Sequence, residues 1–95
     1  MTQYILFISD NTKSETTDDE WRVFFEKAQE SGYFKGGSAI GDRITIGDQG
    51  VKVSSHIGGF MRFDSGDRNK LIDLLNVHPV VLHGGSVELC EMPME

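Results

Sequence analysis

The stretch that decides the fold is Ile57-Gly58-Gly59-Phe60-Met61-Arg62-Phe63. In an extended chain Ile57, Met61 and Phe63 fall on one face, and Phe60 and Arg62 fall on the other. Two glycines inside a strand cost stability unless a neighbouring backbone or a ligand must come close. A late run, His83-Gly84-Gly85-Ser86-Val87-Glu88-Leu89, reads as its partner strand. There Val87 and Leu89 share one face, while Ser86, Glu88, Cys90 and Met92 share the opposite one. Each strand thus has an aliphatic face, and a second face mixing apolar groups with one charge. The second face is where function is to be sought.

Working outward, Tyr4-Ile5-Leu6-Phe7-Ile8 is a continuous apolar run of strand formers, expected to be covered on both faces. Ser9-Asp10-Asn11 ends it. Thr17-Asp18-Asp19-Glu20 matches a capping box, with acids where the helix dipole favours them. Trp21, Phe24, Phe25 and Ala28 then recur at helical spacing, and Gly32 is the stop. This stripe reads as core against the sheet. Gly36-Gly37 opens a second extended region. Ile44-Thr45-Ile46 and Val51-Lys52-Val53 flank Gly47-Asp48-Gln49-Gly50 as a hairpin with a four-residue turn. After the central strand, Ser65 caps a second helix over 66–76 with Leu71, Leu74 and Leu75 buried. Pro79 marks its end, and residues 77–83 form a loop into the last strand.

The 95 residues fit one domain, 1–95. With 38% hydrophobic and 25% charged residues the chain reads as globular rather than disordered. A formal net charge of −6 argues against nucleic acid, whose phosphates demand a basic surface. No Lys/Arg-rich run points to an anionic membrane. A single cysteine, Cys90, excludes an intramolecular disulfide and a Cys-based zinc site. The opening Met1-Thr2-Gln3-Tyr4 lacks the basic start of a signal peptide, and no apolar run approaches membrane-spanning length. The cytoplasm is the expected compartment, with no cofactor and no metal.

The element order, strand, helix, strand, strand, helix, strand, predicts an α+β, ferredoxin-like split β-α-β fold. In it an antiparallel sheet carries two helices on one face. The other face, with Phe60, Met92 and either Ile40 or Ile44, is left wet. An apolar patch of that kind marks an interface, so a second copy packing face to face is the economical solution. The expectation is a homodimeric α+β barrel with a cleft at the sheet or dimer face.

The segment Gly58-Gly59-Phe60-Met61-Arg62-Phe63-Asp64, a helix, then His78-Pro79 and Gly84-Gly85-Ser86-Val87-Glu88-Leu89 resembles the YCII-related proteins, particularly their DGPF branch. The resemblance implies a ferredoxin-like α+β dimer. Two departures matter. Ser54-Ser55-His56 stands where that branch carries Asp-Gly-Pro-Phe. Classical members pair a His from the first helix with an Asp before a Pro, whereas this first helix has no His and the pre-proline position holds His78. The family's dyad therefore does not carry over literally.

Glu88 sits mid-strand and is expected to share a face with Arg62. It is either a shielded carboxylate acting as acid or base, or half of a cross-strand ion pair. His78 and His83 flank the loop at the mouth of the expected cleft, and imidazole titrates in the cellular range. Ordinary loop histidines are the competing reading. Gly84-Gly85 and Gly36-Gly37 offer backbone N–H groups to an anion, with turn geometry as the alternative. Cys90, without a basic neighbour, reads as inert packing. Two functions follow. One is a small-molecule binding or interaction module, with Arg62, Phe60 and His83 lining the cleft. The other is an acid-base enzyme acting on a small organic acid or lactone through His78 and Glu88.

Overall fold

The period-two alternation in three segments resolves into a four-stranded sheet. The computed structural model describes residues 1–94, in the order β1 (Thr2–Ser9), α1 (Asp18–Ser31), β2 (Phe34–Ala39), β3 (Ile57–Ser65), α2 (Arg68–Leu75), α3 (Pro79–Leu82) and β4 (Val87–Met92). The strand order is β2-β3-β1-β4 and every neighbouring pair is antiparallel. The chain is a small α+β domain, compatible with a ferredoxin-like arrangement. β3 and β4 are not partners, contrary to the sequence reading. β1 lies between them and pairs with both.

One face of the sheet carries the helices. Tyr4, Leu6, Met61 and Phe63 project from β1 and β3 into a single buried cluster with Phe24 and Ala28 of α1 and Leu71 and Leu75 of α2. Val87 and Leu89 pack against this cluster, as their alternation requires. Burying a side chain the size of Leu or Phe contributes about 1.5–3 kcal/mol, so this cluster is the main source of stability. Among the described residues no helix lies over the opposite face. Its centre is Ile5 and Phe7 of β1, opposite Arg62 and Phe60 of β3, and Cys90 and Glu88 of β4. β1 is therefore buried at Tyr4 and Leu6 on one face and only partly covered at Ile5 and Phe7 on the other, not fully covered on both.

The helix ends follow local chemistry. At α1 the Thr17 N–H donates to Glu20 Oε1 at 2.9 Å and the Glu20 N–H donates to Thr17 Oγ1 at 3.2 Å, closing the capping box. Gly32 ends the helix in a left-handed conformation (φ 77°), where a side chain would be strained. α2 begins two residues later than the sequence suggests. Ser65 ends β3, and its hydroxyl accepts from the Asp67 N–H, leaving Asp67 to cap the helix by accepting from the Lys70 N–H. The segment read as a loop over 77–83 contains α3. Pro79 occupies its first turn, where a missing N–H costs nothing, and His78 is its cap.

The expected hairpin over 44–53 does not form. Residues 40–56 make a long exposed connection, with Ile44 80% and Ile46 87% exposed. Its turn survives locally, in that Gly50 N–H donates to Asp48 Oδ1 at 2.9 Å and Thr45 Oγ1 to the Val51 carbonyl at 2.8 Å. The alternating valines and isoleucines have no second layer to bury against, and an isolated two-stranded ribbon is marginal in water. Arg43 ties the base of this loop together. Its guanidinium donates to the carbonyls of Ser54 (2.5 Å), Ile57 (2.7 Å) and Ile40 (3.2 Å).

Candidate functional site

Between α1 and the β2–β3 edge lies a cavity of about 420 Å³. Its floor is made by three small residues and one methionine. Gly37 and Ala39 of β2 stand opposite Met61 and Gly59 of β3, and all four line the space. A Cβ on Gly37 would run into the Phe60 carbonyl oxygen, and one on Gly59 would lie 3.1 Å from the Ser38 carbonyl oxygen. The glycines permit the close approach of the two strands, and they leave the floor open beneath α1.

The walls are aromatic. Trp21 and Phe25 of α1 and Phe34 of β2 line the cavity, with ring centroids 6.0 Å apart for Trp21–Phe25 and 5.8 Å for Phe25–Phe34. The Trp21 Nε1–H donates to Thr16 Oγ1 at 3.0 Å, which fixes the indole. The apolar stripe of α1 is thus divided. Phe24 and Ala28 are core, whereas Trp21 and Phe25 face the cavity instead of packing fully against the sheet.

The rim is polar and comes from the end of β1 and the loop after it. Ser9, Asp10, Thr12 and Thr16 contribute, with Ser38 from β2. This loop is pinned. The Asp10 N–H donates to the His56 carbonyl at 2.7 Å and the Ser9 N–H to the Ser86 carbonyl at 3.1 Å. Asn11 exchanges two hydrogen bonds with Ser86, and the Lys13 N–H donates to the His83 carbonyl. The rim is therefore preorganised by hydrogen bonds whose partners are His83 and Ser86, between α3 and β4, and His56, just ahead of β3.

The residues singled out by sequence do not converge. His78 lies on the helix side of the sheet, fully buried, its ring edge-on to Trp21 and Phe24 at centroid distances of 4.9 and 4.7 Å. Its Nδ1 accepts the Val80 N–H at 3.1 Å, which puts the neutral ring's proton on Nε2. That Nε2 has no hydrogen-bond partner among the described residues. Burial pushes the pKa of His78 down to about 4, so the ring is neutral at physiological pH. It is a capping residue in the core, not a base at a cleft mouth. The neighbouring Pro79 helix, absent from the sequence reading, turns the imidazole inward.

His83 sits at the surface end of α3. Its Nε2 pairs with Glu20 Oε2 at 2.7 Å and its Nδ1 with Ser14 Oγ at 2.8 Å. The bond to His83, followed by those to Thr17, holds the Glu20 carboxyl below its ordinary range. This chain of bonds ties the loop after β1 to α1 and α3. His83 does not line the cavity; it holds the loop that does.

Arg62 and Glu88 do share the sheet face turned away from the helices, since they stand opposite Ile5 and Phe7 of the same strand. Among the described residues they form no ion pair, and both are exposed. With β1 between them the two strands are about 10 Å apart, twice the inter-strand spacing. Glu88 and His78 lie on opposite sides of the sheet, so the structure brings together no His78–Glu88 dyad. Phe60 belongs to the open face by register and also contributes to the cavity lining. Cys90 shares the open face; partial burial and the adjacent Glu88 push its thiol pKa up, away from a nucleophilic thiolate. Among the described residues no cluster of three or more metal-ligating side chains occurs, and no helix is long and apolar enough to cross a membrane.

Sequence reasoning missed Asp10, Thr12, Thr16 and Ser38 as rim residues, and Arg43 as the loop's anchor. One signal was available: Gly37 and Gly59, glycines within two strands, mark the place where side chains are withheld. In comparisons with known proteins, no family model matches this chain and no curated protein matches it by sequence.

Proposed function

We propose that this chain is a small-molecule binding module whose ligand occupies the cavity between α1 and the β2–β3 edge. The observation that carries the reading is the cavity itself: about 420 Å³, walled by three aromatic rings and rimmed by hydroxyls and one carboxylate. Small-molecule sites have this size and this mixture of apolar walls with few polar groups. A pinned rim and a fixed indole lower the ordering cost of binding.

The proposal includes a YCII-related, ferredoxin-like fold working as a cytoplasmic homodimer. The apolar centre of the open sheet face, Ile5, Phe7, Phe60 and Met92, supports pairing with a second copy. The acid-base alternative built on His78 and Glu88 has no comparable support, because the sheet separates the two residues.

A thermal-shift screen against a metabolite library tests the binding reading, run on the wild type and on Ala39→Leu, which narrows the cavity floor. The expected result is at least one compound that raises Tm in the wild type and not in Ala39→Leu. A library without a single stabilising compound would sink the proposal, as would stabilisation undiminished in the narrowed variant.

A further inference from the structure

We infer that the cavity between α1 and the β2–β3 edge takes an organic cation: a small amine with an aromatic or aliphatic body. This rests on the reading of the cavity as a binding site and names the chemistry of its ligand. The charge distribution around the cavity favours a cation. Of the described residues that line the cavity, Asp10 alone is ionisable, and no Lys, Arg or His is among them. Among the described residues the Asp10 carboxylate has no hydrogen-bond or ion-pair partner. Its backbone, by contrast, is held on both sides, by the bonds of Ser9 to Ser86 and of Asp10 to His56. An exposed, uncompensated carboxylate carried on a pinned backbone at the rim of a largely apolar cavity is complementary to a positive charge, and it repels an anion.

The walls point the same way. Trp21, Phe25 and Phe34 present a continuous aromatic surface, and the negative faces of such rings attract a cation as well as accept an apolar body. An ammonium between Asp10 and these rings would gain from both, with the hydroxyl-bearing residues Ser9 and Thr12 beside it in the lining. The formal net charge of −6 adds a long-range field that concentrates cations and excludes carboxylates and phosphates.

A matched trio tests this: 2-phenylethylamine, 2-phenylethanol and phenylacetate differ in charge and little in size. Trp21 is the only tryptophan and lines the cavity, so its fluorescence reads occupancy directly. The expected result is an amine Kd about tenfold below that of the alcohol, with the carboxylate weakest. Asp10→Asn should bring the amine to the alcohol's affinity, whereas Asp64→Asn, the same charge change on the open sheet face, should keep the preference. If amine and alcohol bind equally, the cation inference fails and the binding-module reading stands. If the carboxylate binds best, the charge argument is wrong in sign. If none of the three perturbs Trp21 at millimolar concentration, the inference is overturned together with its premise for ligands of this size.

Discussion

Acidifying the protein from pH 7 to pH 5 should remove about 2 kcal/mol of stability through His78 alone. The folded state holds this ring neutral, with its pKa pushed down to about 4 by burial, against about 6.5 in an unfolded chain. Between those values the unfolded state binds the proton and the folded state does not. The contribution is therefore fully present above pH 6.5 and is lost as pH falls toward 4. The full shift of about 2.5 units corresponds to about 3 kcal/mol at 1.36 kcal/mol per unit, and roughly two-thirds of it is gone by pH 5. His78→Asn isolates the effect. Asparagine still accepts the Val80 N–H as a helix cap but has nothing to titrate. The variant loses packing against Trp21 and Phe24, so its stability at pH 7 should fall. Its decline from pH 7 to pH 5 should be smaller than wild type's by about 2 kcal/mol. Urea unfolding followed by far-ultraviolet circular dichroism at the two pH values measures both. Equal pH dependence in wild type and His78→Asn would refute the assignment of a neutral, buried ring.

Three further outcomes follow from the packing. Glu88→Ala and Arg62→Ala should each change stability by no more than about 0.5 kcal/mol in urea unfolding, because both are exposed and unpaired with each other. Arg43→Ala should cost about 1–2 kcal/mol and speed amide exchange selectively within 40–56, since one guanidinium holds the carbonyls of both loop ends. Phe60→Asp on the open sheet face should convert a species of twice the 10.6 kDa chain mass into a monomer by light scattering; a wild type that is already monomeric would remove the dimer from the proposal.

What was legible in the sequence was what local chemistry dictates. The capping box at Thr17 and Glu20, the stop at Gly32 and the alternation of Met61, Phe63, Val87 and Leu89 all took the form their spacing implies. What was not legible depended on which segments meet. Ile44 to Val53 alternates like a hairpin, but alternation cannot reveal whether a second layer exists to cover it, and here none does. The exclusion of β4 from β3 by β1 is equally a matter of topology, and it separates Arg62 from Glu88. Pro79 reads equally well as a helix stop or a helix start; the second outcome buries His78. The cavity arises from residues far apart in sequence, Asp10, Trp21, Gly37 and Gly59, and only the two glycines within strands hinted at it.

Amide chemical-shift mapping with a fragment that stabilises the protein shows whether the space between α1 and the β2–β3 edge is the ligand site. The perturbed resonances should cluster on Asp10, Thr16, Gly37, Gly59 and the Trp21 indole N–H, the residues that frame the cavity. Perturbations confined to the open sheet face, at Phe7, Arg62, Glu88 and Cys90, with the Trp21 indole unmoved, would contradict that assignment.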